Sequence, residues 1–261
     1  MTIYKHELLR GRKAFIIWTG VITFMLAVCI IIYPEMKSEM EGMNEMFASM
    51  GSFTAAFGMD KLNFGTLIGY YAIECGNVLG LGGAFFAALT AIEIICKEER
   101  IGTAEFLLTH PQSRTRIITE KLLSVITRVV ALNVVVVAFM ALSILVIGES
   151  IPWSEMLLLH AAYLILQIEL ALICFGISAF IRKGGLAIGL GIAALMYLFN
   201  IIANITDSVK FLSYITPYGY CDGATIISEG SLDAVRILIG MAISLFCVAA
   251  AYATYPKKDI K

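Results

Sequence analysis

Six long blocks of apolar residues constrain this chain more than any other feature of its sequence. The blocks cover residues 14–33, 68–96, 122–147, 156–181, 184–205 and 233–254. Each block is long enough for the roughly 20 apolar residues that a helix needs to cross a bilayer. Only 15% of the residues are charged, against about 25% in a soluble domain. The sequence therefore predicts an all-α, polytopic membrane protein with six transmembrane helices in a single domain over residues 1–261.

The positive charges are unequally distributed between the two predicted sides of the membrane. Fifteen lysines and arginines lie near the termini and near the loops after the second and fourth blocks, whereas the other side has only Lys37, Lys61, Lys210 and Arg236. Segments rich in Lys and Arg remain in the cytoplasm. We therefore predict that both termini are cytoplasmic and that the protein lies in the cytoplasmic membrane.

Several kinds of chemistry have no matching motif in the sequence. The chain has neither a G-x-S-x-G nucleophile elbow nor a G-x-x-x-x-G-K-[ST] phosphate loop, so we expect no enzyme activity and no ATP binding by this chain. Its histidines and cysteines lack zinc-ligand spacing, and we expect no metal and no disulfide. The net charge of −1 does not indicate nucleic-acid binding. Closely spaced glycines such as Gly185 and Gly189 favour close helix packing.

The loop over residues 97–121 has the pattern of a short amphipathic helix. Acidic residues stand at its start, two leucines near its end, and Pro111 then stops it. Apolar side chains in an otherwise charged loop indicate a docking element.

Four segments of this sequence resemble those of ABC-2 type transporter permeases. The loop reads E-x-x-x-G-T-x-E-x-L-L-x-x-P-x-S-R from Glu98 to Arg114, and a Y-x-x-P-Y segment begins at Tyr214. The tail from Tyr255 reads aromatic-x-basic-basic-Asp, and residues 4–10 resemble the family's amphipathic N-terminal helix. The resemblance implies the ABC-2, type V exporter-like architecture.

The resemblance also implies partners and site residues. It implies a homodimer of permeases, two copies of a separate ABC ATPase that binds ATP and Mg²⁺, and a coupling helix in the first cytoplasmic loop. It assigns further segments: 1–13 as the amphipathic helix, 34–67 as an external amphipathic segment and 206–232 as an external segment before the last span. The implied ATPase-coupling residues are Glu98, Glu99, Gly102, Thr103, Glu105, Leu107, Leu108 and Arg114. A solvated loop that only sets the topology is the alternative reading of these charges.

Polar residues within the predicted spans are candidates for structural or transport roles because ionisable groups in lipid cost free energy. Glu169 lies about 18 Å from the cytoplasmic end of its span, near the depth of Asn133, which we predict as its hydrogen-bond partner. Glu74 lies about 9 Å below the outer surface, near the depth of His160. These two residues could line an outer vestibule, or each could reach water independently.

The external segment between the first two spans carries an apolar stripe. Met36, Met40, Met43, Phe47 and Met50 repeat at intervals of 4, 3, 4 and 3 residues, which places them on one face of a helix. We expect this face to lie on the membrane or to cap the protein. Binding of Cu(I) by thioethers is the less favoured alternative.

The sequence favours the permease subunit of an ATP-driven ABC exporter of amphipathic or hydrophobic compounds. An ATP-independent secondary transporter, with Glu74 or Glu169 in a proton relay, is one alternative. A membrane immunity or scaffold protein that transports nothing is another. The sequence does not identify the substrate, because apolar residues that line a cavity resemble those that face lipid.

The predicted orientation can be tested by thiol labelling in intact cells. In a cysteine-free background, single cysteines placed within residues 42–52 should react with a membrane-impermeant maleimide, whereas one at Ser113 should be protected. The opposite pattern would show that the charge distribution does not set the orientation.

Overall fold

The computed structural model describes residues 2–56, 62–100, 102, 112–181 and 185–257, and helices account for nearly all of them. The α-helices are α1 (Thr2–Ser49), α2 (Ser52–Ala56), α3 (Leu67–Cys75), α4 (Leu81–Arg100), α5 (Arg114–Val146), α6 (Trp153–Ser178), α7 (Gly185–Ile205), α8 (Leu212–Ile215), α9 (Gly223–Glu229) and α10 (Ala234–Thr254). A π-helix over Gly76–Gly80 joins α3 to α4, and 3₁₀ turns occupy Asp207–Val209, Pro217–Tyr220 and Tyr255–Lys257. These described ranges contain no β-strand.

The described residues contain six segments that are long and apolar enough to cross a membrane, as the sequence predicts. They are Thr2–Lys37, Leu67–Glu98, Arg114–Val146, Trp153–Ser178, Gly185–Ile205 and Ala234–Thr254. The all-α, six-span prediction is therefore confirmed. The predicted start of the last span is close to the observed one, because Asp233 accepts hydrogen bonds from the backbone N–H groups of Val235 and Arg236 and so begins α10.

Helix α1 is longer than the sequence predicts. The predicted N-terminal helix over residues 1–13 and the span that ends before Pro34 form one continuous helix, which extends to Ser49. Pro34 lacks an amide hydrogen, but it breaks only part of the hydrogen-bond pattern, and membrane helices tolerate such gaps. Tyr33 is fully buried and donates a hydrogen bond to the Gly65 carbonyl at 2.9 Å, which holds this part of α1 against the chain before α3. The side chains of most of the predicted methionine stripe lie outside the described part.

The core of the bundle lies around α4 and α6. Helix α4 packs against both α6 and α7, α1 packs along α5, and α10 packs along α6. In the most apolar 18-residue stretch of α6, 67% of the residues are buried within the chain. The corresponding share is only 17% in α7 and in α10. Helices α7 and α10 are therefore peripheral, and their apolar surfaces are available to lipid or to another subunit.

Glycines allow the closest helix contacts, as predicted from their spacing. A Cβ at Gly176 on α6 would lie 2.6 Å from the carbonyl oxygen of Cys247 on α10. A Cβ at Gly189 on α7 would lie 2.8 Å from Ile92 on α4. Small residues let helix backbones approach closely in membranes, where packing provides much of the association free energy.

Gly176→Ala should destabilise the bundle, because the added methyl group meets the backbone of α10. Overpacking of this kind costs about 1 to 3 kcal/mol, and a lower thermal unfolding midpoint of the detergent-purified protein would report it. Gly191→Ala is the matched control, because no described atom lies within 4 Å of its Cβ position. Equal unfolding midpoints for the two variants would contradict the proposed contact.

Candidate functional site

The predicted coupling loop leaves the bundle from the end of α4 and returns at the start of α5. Gly102, which follows α4, has φ +69°, a left-handed conformation that favours glycine. At the other end, the Ser113 side chain accepts a hydrogen bond from the Arg116 backbone N–H and caps α5. The predicted coupling residues Thr103, Glu105, Leu107 and Leu108, and the Glu99 side chain, lie outside the described residues.

A buried ion cluster joins the two ends of this loop. The ammonium group of Lys121 donates to Glu98 Oε1 at 2.7 Å, to the Ile94 carbonyl at 2.6 Å and to Glu7 Oε1 at 3.2 Å. Glu7 also forms an ion pair with Lys97 through its other carboxylate oxygen. We call Glu7, Lys97, Glu98 and Lys121 the loop-base cluster. It connects α1, α4 and α5 at one point.

The loop-base cluster is shielded from water. Lys121 has no exposed surface, and Glu7 is 2% exposed. Charges in such a position are stable only when they are paired and hydrogen-bonded, and removal of one partner costs far more than it does at a surface. Two lysines and two glutamates balance one another here, so the cluster fixes the spacing between α4 and α5.

Both terminal segments also contact the start of α5. The Tyr4 backbone N–H donates to Glu120 at 3.0 Å, and Arg114, a predicted coupling residue, donates to the Pro256 carbonyl at 3.0 Å. The Thr119 and Tyr252 hydroxyl groups are 2.8 Å apart. The described parts of the two terminal segments therefore lie at the same end of the bundle as the start of α5. Glu98 and Arg114 are predicted from the sequence, but the roles of Glu7, Lys97 and Lys121 are not. The two lysines enter the sequence argument only as positive charges that set the topology, and no local signal marks Glu7.

The predicted pairing of Glu169 with Asn133 is wrong. Asn133 Nδ2 donates instead to Gln167 Oε1 at 2.7 Å, and the Gln167 amide donates to the Leu79 carbonyl at 3.3 Å. Residues 167 and 169 lie at similar depth, but two residues correspond to about 200° around a helix. Depth alone therefore could not identify which of them faces α5.

Glu169 faces α10, on the opposite side of α6 from Gln167. Its side chain is fully buried, and neither carboxylate oxygen makes a hydrogen bond to any described residue. A Cβ at Gly240 would overlap the carboxylate, so this glycine provides its space. The described side chain that interacts with this carboxylate is that of Tyr220. A carboxyl group in such surroundings is compatible with a structural role or with proton exchange.

Glu74 and His160 contact different residues. The His160 ring is hydrogen-bonded to the Tyr71 hydroxyl at 2.5 Å, whereas Glu74 accepts a weak bond from the Cys29 thiol at 3.5 Å. Residues 71 and 74 are neighbours on α3, but each faces a different helix. Of the two alternatives that the sequence leaves open for these residues, the separate partners do not favour a shared vestibule.

A polar pocket of about 290 Å³ instead lies between the π-helix, α7 and the segment over residues 206–232. Its lining includes the side chains of Asn77, Asn200, Asn204 and Lys210. Nearby, burial raises the pKa of the Cys221 thiol well above its usual range, so this cysteine is poorly reactive. The pocket offers amide and ammonium donors to a polar group of a ligand.

Lys121→Met should strongly destabilise the protein, because it leaves Glu98 buried and unpaired. The expected loss is about 3 to 5 kcal/mol, measured as a lower thermal unfolding midpoint, and adding Glu98→Gln should restore part of it. Lys37 is the matched control, since its ion pair with Glu149 leaves the two side chains 46% and 39% exposed. Lys37→Met should cost at most about 1 kcal/mol. Similar losses for the two single variants would show that burial of the cluster is not important.

Comparison with known proteins agrees with the all-helical architecture of six spans. Curated protein sequences give no match to the chain. The model of the family described as "ABC-2 family transporter protein", however, matches residues 1–260, nearly the whole chain. The chain therefore belongs to the ABC-2 family of transporter membrane proteins.

Proposed function

We propose that this chain is the permease subunit of an ABC exporter whose ATPase is a separate protein. Membership of the ABC-2 family and six membrane-spanning helices support a transport role. The sequence lacks a phosphate loop, so ATP and Mg²⁺ would be bound by the partner. The substrate class that suits an apolar bundle of this kind is an amphipathic or hydrophobic compound, such as a peptide, a drug or a lipid-like molecule.

The observation that carries this proposal is the loop-base cluster. A loop that receives force from another protein can move helices only if its two ends are firmly attached to them. Lys121 provides this attachment, because it binds Glu98 at the end of α4 and Glu7 on α1 from its own position on α5. A force on residues 101–113 would therefore move α1, α4 and α5 together.

Helix α4 would carry the movement into the membrane. It is the helix that contacts both α6 and the peripheral α7. Its continuation into the π-helix at Gly76–Gly80 borders the polar pocket at the other end of the bundle. A π-helix interrupts the regular hydrogen-bond pattern and often marks a functional position. A shift of α4 would thus change both ends of the bundle.

A second copy of this chain would complete the transport path. Leu195 and Leu198 on α7 are 47% and 50% exposed, and α10 also presents large apolar side chains. In a homodimer with two ATPases, part of this surface would face the second permease and part would face lipid. The transport cavity would then lie between the two permeases, and ATP-driven closure of the ATPase dimer would alter access to it.

The double substitution Leu107→Asp and Leu108→Asp tests the coupling contact. Burial of each leucine against a partner is worth about 1.5 to 3 kcal/mol, so copurification of the ATPase should fall at least about tenfold. The six-span protein should still insert, because these residues lie outside the spans.

Thr115→Asp is the control for this experiment. Thr115 is exposed in the first turn of α5, where an acidic residue is favourable. It should leave ATPase copurification unchanged. If the doubly substituted permease retains the ATPase and still couples hydrolysis to transport, the loop is not the contact and the proposed mechanism is wrong.

A further inference from the structure

A second pocket, of about 350 Å³, lies near the terminal end of the bundle between α1, α4, α5 and α7. Three cationic side chains line it, those of Arg10, Lys97 and Arg128, together with one carboxylate, that of Glu93. We call it the basic pocket. Its lining has a formal excess of positive charge.

Arg128 has a hydrogen-bond donor in this pocket that no described residue satisfies. It is only 9% exposed, and its Nη2 atom has no hydrogen-bond partner among the described residues. Its Nε donates to the Ser124 carbonyl on its own helix at 3.2 Å. Glu7 exerts a favourable electrostatic effect on Arg128, but Glu7 is hydrogen-bonded to Lys97 and Lys121. A buried guanidinium donor without an acceptor costs free energy, and an anion in the pocket would remove that cost.

Gly11 on α1 leaves space for the guanidinium group of Arg128 in this position. A Cβ at residue 11 would overlap Arg128 Nη1, so the absence of a side chain lets Arg128 lie directly against the α1 backbone. From its position in the sequence alone, Arg128 is near enough to the cytoplasmic end of its span for its side chain to reach water. The structure instead folds this side chain into a buried pocket, because Gly11 and the neighbouring helices enclose it.

The part of the pocket farther from the terminal end of the bundle is apolar. Trp18, Phe86 and Leu89 line it together with Leu186, which is 46% exposed on the outer surface of α7. Arg10 and Trp18 are eight residues apart on α1, which corresponds to about 12 Å along the helix axis. The pocket therefore changes from cationic to apolar over the distance that separates a lipid headgroup from the first part of its acyl chains. Tryptophan is enriched at this depth in membrane proteins.

We propose that the basic pocket binds the phosphate headgroup of an anionic lipid, with Arg128 and Arg10 as donors and Trp18, Phe86 and Leu89 around the start of an acyl chain. Basic pockets between transmembrane helices are suited to anionic headgroups, and an arginine forms strong charge-assisted hydrogen bonds to phosphate. The bound lipid connects α1, α4 and α5 beside the loop-base cluster. This proposal depends on the membrane location of the chain and does not depend on the ATPase or on the direction of transport.

Lipid titration of the detergent-purified full chain tests the proposal. The probe is dioleoyl-phosphatidylglycerol, and binding is measured by native mass spectrometry. We expect one saturable site that binds dioleoyl-phosphatidylcholine at least about tenfold more weakly. Soluble glycerol-3-phosphate should not compete at similar concentrations, because it lacks the acyl chains. Equal binding of the two lipids would overturn the proposal, and tight competition by glycerol-3-phosphate would show a site for a free anion.

Two pairs of variants locate the site. Arg128→Gln should weaken phosphatidylglycerol binding about tenfold. Arg12→Gln removes an exposed cation from α1 that does not line the pocket and should have less than about a twofold effect. Gly11→Ala should weaken binding to a similar extent by displacing Arg128, whereas Gly20→Ala should not, because no described atom lies within 4 Å of its Cβ position.

If Arg128→Gln does not fold, Gly11→Ala still tests whether the position of Arg128 matters for lipid binding. Gly11→Ala should fold, because alanine favours the helix and displaces only a flexible side chain. Equal losses for Arg12→Gln and Arg128→Gln, or equal effects for the two glycine variants, would show non-specific attraction to the surface and overturn the proposal.

Discussion

The absence of water from the hydrocarbon core is the constraint on which this structure depends. Backbone polar groups in lipid must be satisfied within the protein, so every crossing segment is a helix. The same constraint applies to polar side chains, and the structure meets it through internal pairs. Lys121 has three oxygen acceptors, and Asn133 is bonded to Gln167. Polar groups without such a partner in the described part, notably on Glu169 and Arg128, therefore stand out as possible functional positions.

In the proposed function, the loop-base cluster is the feature through which a partner bound to the loop would act on the bundle. Surface charges in a mobile loop would transmit little force, because exposed ion pairs are weak. Here the loop ends are held by buried charges, and removal of any one of them would leave its partner buried and unpaired. Arg114 and Tyr4 add contacts from the start of α5 to the two terminal segments. The two ends of the proposed coupling segment are therefore connected to α1, α4, α5 and the C-terminal segment.

The two pockets lie in different chemical environments. The pocket near residues 206–232 is lined by amides, and a shift of α4 would alter it through the adjoining π-helix. The basic pocket combines arginines with aromatic and aliphatic side chains and opens near an exposed leucine of α7. The first is suited to a polar group of a small ligand, and the second is suited to a membrane lipid. The basic pocket is lined by α4, and the polar pocket is lined by the π-helix that joins α4, so a movement of α4 would affect both pockets.

The sequence by itself determined the number of spans, most of their boundaries and the family. Long apolar blocks and local capping residues such as Asp233 act over short distances, so they can be interpreted without a fold. The tertiary structure alone decided which polar groups meet. Lys121 and Glu7 are 114 residues apart in the chain, and nothing in their local sequences indicates that they pair. Residues 167 and 169 have the same depth but opposite directions on α6, and only helix packing distinguishes them. Side-chain direction around a helix and contacts between distant segments depend on how the helices associate, which hydrophobicity along the chain does not specify.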